Sequence, residues 1–280
     1  MIMGRKSVTG TTKSAKTAVE KKVKKEKKAK PSRLTNEEKE RKYGVIGKAL
    51  NYKINFTPKT ETQKEYFDTI NNCRVTFGTG VAGSGKSFVC LSAALKLLQE
   101  DNQYKQILII TPTAEAGNMQ LGFLPGTKEE KIQEYLEADM QTIKDIFELG
   151  GNDPDECLKS LLENNLLHGD CVNFMRGKTI KNKIVIITEA ENFNKQELFL
   201  LLSRIAPSSK YIINGDNRQQ DRKDIKNDNQ NGLKYAMNTL KGKLPEVGFC
   251  HFHKEDCVRD PLIIQIMDLW FNDDEKDDEY

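Results

Sequence analysis

The stretch Gly80-Val-Ala-Gly83-Ser84-Gly85-Lys86-Ser87 constrains this chain more than any other, because it fits the phosphate-binding loop pattern G-x-x-x-x-G-K-[ST] without a mismatch. Its flanks agree with it. Arg74-Val-Thr-Phe77 reads as a short buried strand, and from Phe88 to Glu100 the residues Leu91, Ala94, Leu95 and Leu98 recur at the spacing of an amphipathic helix. Glycines at 80, 83 and 85 allow backbone conformations that a Cβ forbids, so that successive N–H groups around Ser84 can turn inward on a polyphosphate. The start of the following helix adds partial positive charge at the same point. In this pattern Lys86 reaches the β- and γ-phosphates and the Ser87 hydroxyl is one Mg²⁺ ligand. A bound nucleoside triphosphate is therefore expected here.

Three further apolar runs, Lys105-Gln-Ile-Leu-Ile-Ile-Thr111, Ile184-Val-Ile-Ile187 and Tyr211-Ile-Ile213, alternate with helical segments. Among these segments, Lys195 to Ala206 has Asn194 as N-cap, Glu197 at the capping-box position and Leu198, Leu201, Leu202 and Ile205 on one face. Strands apolar on both faces and separated by helices make a mainly parallel α/β sheet covered on both sides. Ligands in such sheets sit at the carboxyl ends of the strands. That rule picks out 111–117, 188–192 and 214–221 beside the phosphate loop. From Asn118 to Thr179 the chain is expected to leave the sheet for a helical insertion. Within it, Thr127 to Leu149 is a helix with Ile132, Leu136, Met140, Ile143 and Phe147 on one stripe.

Charge divides the chain. Residues 1–42 hold 15 Lys or Arg against 5 Glu, a local excess of +10 that leaves −7 on the remainder of a chain whose formal charge is +3. Such a segment buries too little apolar surface to offset its ordering entropy, so disorder is expected. It reads either as an arm for nucleic-acid phosphates or as a solvated tail. The nucleotide-binding domain is expected over 43–271, with the insertion at about 118–179, and an acidic tail over 272–280 reads as solvation or as a contact for the basic tail of a neighbour. Six cysteines (73, 90, 157, 171, 250 and 257) follow no framework spacing, which suits a reducing, cytoplasmic setting. Cys250, His251, His253 and Cys257 fit no common zinc pattern, and Phe249, Phe252 and Val258 favour a strand and loop there. No membrane span and no signal-peptide core is read from the hydropathy. Gln63, in a short helix ahead of the loop, has an amide able both to donate to and to accept from an adenine edge.

With Glu115-Ala-Gly117, Leu121-Gly-Phe-Leu-Pro-Gly126, Phe174-Met-Arg-Gly177, Thr188-Glu-Ala-Glu-Asn192 and Gly215-Asp-Asn-Arg-Gln219 added to the phosphate loop, the chain resembles the PhoH-like proteins over about residues 55–265. These are phosphate-starvation ATPases, also common in bacteriophage genomes, similar to the first motor domain of superfamily-one helicases.

The resemblance implies a RecA-like P-loop NTPase fold, with ATP and Mg²⁺ as ligands. Gln63 would contact adenine, and Gly85, Lys86 and Ser87 would hold phosphates and metal. Glu189 would polarise water and Gln219 would sense the γ-phosphate, while Arg176 and Arg259 would act as arginine fingers, including from a neighbouring subunit. Two positions depart from the family pattern. Thr188 stands where the family has the aspartate that orders the Mg²⁺ shell, and Thr111 stands where it has arginine.

The resemblance implies an ATPase acting on RNA or single-stranded nucleic acid. A single motor domain lacks the two-domain cleft of a helicase, so a homo-oligomer, such as a hexameric ring, would close the site. The alternative is a nucleotide-binding module without useful turnover that sets assembly or partner binding. A small-molecule kinase is disfavoured, since no acceptor-binding motif is found. If residues 1–42 contact phosphates, deleting them weakens RNA binding most at low salt and flattens the dependence of affinity on salt. Filter binding across a salt series checks this, and equal slopes would assign the segment to solvation.

Overall fold

The computed structural model describes residues 49–112, 128–225 and 227–270. The basic segment 1–42, the acidic tail, 115–117 and 121–126 lie outside the described residues. Strands β1 (Val75–Gly80), β2 (Gln106–Thr111), β3 (Leu167–Cys171), β4 (Lys183–Ile187), β5 (Lys210–Gly215) and β6 (Val247–Phe252) form one sheet in the order β3-β2-β4-β5-β1-β6. Every pairing in it is parallel.

Alternation along the strands builds two cores. Ile107, Ile109, Ile184, Ile186 and Ile212 point to one face, where α1 (Glu61–Asn72), α2 (Lys86–Glu100), α3 (Lys128–Leu149) and α4 (Pro154–Glu163) cover them. Leu108, Ile110, Val185, Ile187, Tyr211 and Ile213 point to the other, under α5 (Lys195–Leu202) and α6 (Gly232–Leu240). A strand buried on both sides reads as a nearly continuous apolar run, which is why these stretches stood out. α2 lies between the sheet and its neighbouring helices, so Val89, Cys90 and Ala93 are buried in addition to the four residues of its stripe. α7 (Pro261–Trp270) ends the described chain.

Local signals set the helix ends. Thr60 accepts the Gln63 N–H at the start of α1. Asp153 caps α4 ahead of Pro154, and Asn194 with Glu197 forms the expected capping box on α5.

Two expectations are corrected. The 118–179 segment does not stay out of the sheet, because β3 returns within it and pairs with β2 from Ile107↔Leu167 to Thr111↔Cys171. Leu167-His-Gly-Asp-Cys171 has no β-branched residue and sits at an edge, so its strand state comes from the ladder rather than from its own propensity. α5 stops at Leu202, not Ala206, and Ile205 instead bridges to Ile180. The strand reading of 247–252 agrees with β6, which places the Cys250 and His251 side chains on opposite faces of the sheet.

Phe77 is fully buried and stacks on Phe249 with centroids 4.9 Å apart. Phe77→Ala is expected to lower unfolding stability by about 3–5 kcal/mol, measured by urea titration.

Candidate nucleotide-binding site

The carboxyl end of β1 turns straight into the loop, and the loop is held from three sides. Gly80 has φ 121°, and a Cβ there would lie 1.9 Å from the Phe252 carbonyl oxygen, so β6 passes too close for any other residue. Val258 N–H donates to the Gly83 carbonyl at 3.1 Å. The Gln63 side chain donates to the Ser84 carbonyl at 2.9 Å while its own oxygen accepts from Lys59 N–H at 2.8 Å. Gln63 is 4% exposed, and its amide touches the loop from below Gly85, which has φ 85° at the N-cap of α2. The structure therefore gives Gln63 a definite place as a clamp on the loop.

Lys86 and Ser84 take the remaining loop carbonyls. Lys86 Nζ donates to the Gly80 and Val81 carbonyls, at 2.7 Å each, and Ser84 Oγ donates to Val81 at 2.8 Å. Burial lowers the Lys86 pKa, and the nearby carboxylates of Asp216 and Glu191 work against that shift. Val81 N–H donates to the Phe252 carbonyl at 3.2 Å, so the loop is fixed to β6 while the half-buried Lys86 ammonium stays within its curve. Ser87 is exposed on the first turn of α2. A glycine-lined cradle, a lysine and a hydroxyl at a helix start fit a polyphosphate with a divalent cation.

Strand order places the acidic turn. β5 lies between β1 and β4, so Thr188 and Glu189 follow a strand two spacings, roughly 10 Å, from the loop strand. Glu189 takes the left-handed region at φ 50°, a conformation that non-glycine residues keep mainly at functional sites. Burial raises its pKa, with Asp221 adding to the effect. Glu191, only 3% exposed, accepts the Asp216 N–H at 2.9 Å. Burial moves its pKa up to about 7, with Glu189 and Asp216 adding to the rise and its backbone hydrogen bonds opposing it.

The loop after β5 is tied to this turn. Asn192 Oδ1 accepts Asp221 N–H at 2.9 Å, and the buried Arg222 guanidinium joins the Asn192 carbonyl, Glu197 and the exposed Asp224 in one network. Gln219 is exposed in this loop, on a turn where its N–H donates to the Asp216 carbonyl at 2.9 Å.

The two arginines part company. Arg259 lies against the loop, since a Cβ on Gly83 would sit 2.9 Å from its Cδ. Arg176 is exposed just beyond β3, at the far edge of the sheet. β3 is four spacings, roughly 19 Å, from β1, farther than an arginine side chain extends.

One residue escaped sequence reasoning. Asp139 is on α3 and 8% exposed, and burial with the charge of Glu189 moves its pKa up to about 7. A signal existed, since Asp139 follows Leu136 by three and precedes Ile143 by four, putting an acid on the apolar stripe.

A parallel α/β sheet with a phosphate loop after β1 and an acidic turn after β4, one strand apart, defines a P-loop nucleotide-binding fold of RecA-like type. The family model described as PhoH-like protein matches residues 55–270, so the chain belongs to the PhoH-like family. It is 31% identical over 220 residues to a PhoH-like protein of Mycobacterium leprae (strain TN), covering 79% of this chain and 60% of that protein. It is 32% identical over 212 residues to a PhoH-like protein of Bacillus subtilis (strain 168), covering 76% and 63%, respectively. Protein PhoH of Escherichia coli (strain K12) is 31% identical over 205 residues, covering 73% and 55%. The chain thus spans about 60% of the length of such relatives. Among solved structures, the Pif1 helicase from Candida albicans aligns with a TM-score of 0.38 and 13% identity, over 76% of this chain and 44% of that one. Among the described residues, no helix is long and apolar enough to cross a membrane.

Because the folded pKa of Glu191 is raised from 4.5 to about 7, its protonated form stabilises the fold at low pH, and that contribution is lost as pH rises through 7. Glu191→Gln keeps an acceptor for Asp216 N–H without the charge. In nucleotide-free buffer its gain over wild type should grow from near zero at about pH 5 to the order of 1–3 kcal/mol at about pH 8, read from thermal melts.

Proposed function

We propose that this chain binds ATP with Mg²⁺ at the phosphate loop and hydrolyses it, coupling the cycle to binding or remodelling of RNA or single-stranded nucleic acid. The observation that carries the reading is the loop itself: the Gly83 and Ser84 carbonyls are held by Val258 and Gln63, and the Lys86 ammonium lies over the Gly80 and Val81 carbonyls within the loop. Lys86 exchanges its loop carbonyls for phosphate oxygens, and Gln63 steadies Ser84 beneath them. An adenine ring adjoins the Gln63 end of the loop.

Bound Mg²⁺ would neutralise charge on the β- and γ-phosphate oxygens, with Ser87 as a protein ligand. Glu189 orients water for attack, and its burial raises its basicity. Gln219, on the loop braced by Asn192 and Arg222, reports the γ-phosphate to the rest of the fold. Arg259 is placed for the chain's own site. Arg176, four strands away, would serve only a neighbouring subunit's site, and the homo-oligomer is proposed on that reading.

Thr188 favours a second reading, a nucleotide-sensing module that binds without turnover, because threonine brings no carboxylate to the metal shell. Steady-state ATP hydrolysis with and without single-stranded RNA separates the two. Turnover is expected, stimulated by RNA. Lys86→Ala should weaken ATP binding roughly 10–100-fold, as loss of charge-assisted hydrogen bonds implies. Glu189→Gln should keep ATP affinity and lose about 10²–10⁴-fold in rate. Tight binding with no turnover above the two variants would instead select the sensing module.

A further inference from the structure

Thr188 leaves the metal side of the site without its expected carboxylate, and the fold brings another to the same face of the sheet. Thr188 continues the β4 alternation on the side of Ile184 and Ile186, and its N–H donates to the Ile110 carbonyl at 3.1 Å. Thr111, at the end of β2, lies on that same side with Ile107 and Ile109, and its Oγ1 is buried without a hydrogen-bond partner among the described residues. This is the face covered by α2 and α3. It therefore holds Ser87 and Cys90 on the first turns of α2, the threonines at the strand ends, and the inner stripe of α3.

Asp139 is on that stripe, between Leu136 and Ile143, which are both buried in the core of this face. Asp139 as a residue is 8% exposed, and no hydrogen bond or ion pair joins its carboxylate to a described residue. The two charges or thiols it interacts with electrostatically flank the metal side of the loop. One is Glu189, next to Thr188. The other is Cys90, which donates to the carbonyl of Ser87 at 3.3 Å. A lone carboxylate on an apolar helix face destabilises the fold unless a cation or a donor compensates it. No cationic side chain among the described residues does so here.

We propose that Asp139, reaching in from α3, is the carboxylate of the Mg²⁺ shell at this nucleotide site, in place of the one absent at Thr188. The inference rests on the ATP and Mg²⁺ reading above. Mg²⁺ takes oxygen ligands and commonly one or two carboxylates beside the substrate phosphates, and a carboxylate from a neighbouring helix meets that need as well as one at a strand end. The unpaired Thr111 hydroxyl on the same face is a further oxygen donor for a water of that shell. Thr188 and Asp139 are in this view an exchanged pair, with the charge moved from strand to helix.

The test uses the full chain and two probes, a fluorescent ATP analogue titrated in EDTA or in Mg²⁺, and Mn²⁺ binding to the protein–nucleotide complex followed by water-proton relaxation. Asp139→Asn is expected to keep nucleotide affinity in EDTA within about twofold and to lose roughly 10–100-fold in Mn²⁺ affinity. Thr188→Asp added to Asp139→Asn should recover most of that loss. Asp139→Leu removes the uncompensated charge, so it should melt higher than wild type while showing the same loss of metal. Wild-type Mn²⁺ affinity in Asp139→Asn, or an equal loss in EDTA, would overturn the proposal, and so would failure of Thr188→Asp to rescue. If wild type binds the analogue in neither medium and Lys86→Ala changes nothing, the nucleotide reading itself falls, and this inference falls with it.

Discussion

A loop that turns its N–H groups inward cannot satisfy its own carbonyls by regular structure, and the rest of this fold is arranged around that deficit. The Gly83 carbonyl is met by Val258 from the segment after β6, the Ser84 carbonyl by Gln63 from α1, and those of Gly80 and Val81 by Lys86 from α2. Three separate parts of the chain must therefore be docked before the loop has one conformation. The close pass of Phe252 over Gly80 removes the remaining freedom. Preorganisation of this kind lets a loop bind without ordering itself at the moment of binding.

Acids gather on the β4 side of the sheet, with Glu191 and Asp139 buried and Glu189 exposed. Glu189, Glu191 and Asp139 are each raised in pKa by burial and also feel another carboxylate. Lys86 is the nearest balancing charge, and it too is desolvated. Such an arrangement costs stability and favours any group that brings positive charge to those acids. The bracing network of Arg222, Glu197, Asp224 and Asn192 holds the β5 loop against the acidic turn after β4.

Much of the framework was legible in the residues. The β2, β4 and β5 runs hold successive apolar residues, as doubly buried strands mostly do. The capping box at Asn194 and Glu197 was equally plain. β3 was not, because Leu167-His-Gly-Asp-Cys171 is an edge strand held by its pairing to β2, and its side chains show little strand character. Asp139 was written in the sequence as an acid on an apolar stripe, yet its meaning depended on which strands that stripe faces.

By itself the sequence determined the phosphate loop, the parallel α/β class and the positions missing an expected charge, because each rests on local spacing and on the chemistry of single side chains. Only the tertiary structure decided that Gln63 clamps the loop, that Arg259 adjoins it while Arg176 is four strands away, and that Asp139 stands on the face of Thr188. Those outcomes follow from strand order and from the side of the sheet on which each helix packs. Neither is encoded in any one segment, since parallel strands are joined by crossovers that set their neighbours only when the whole sheet assembles.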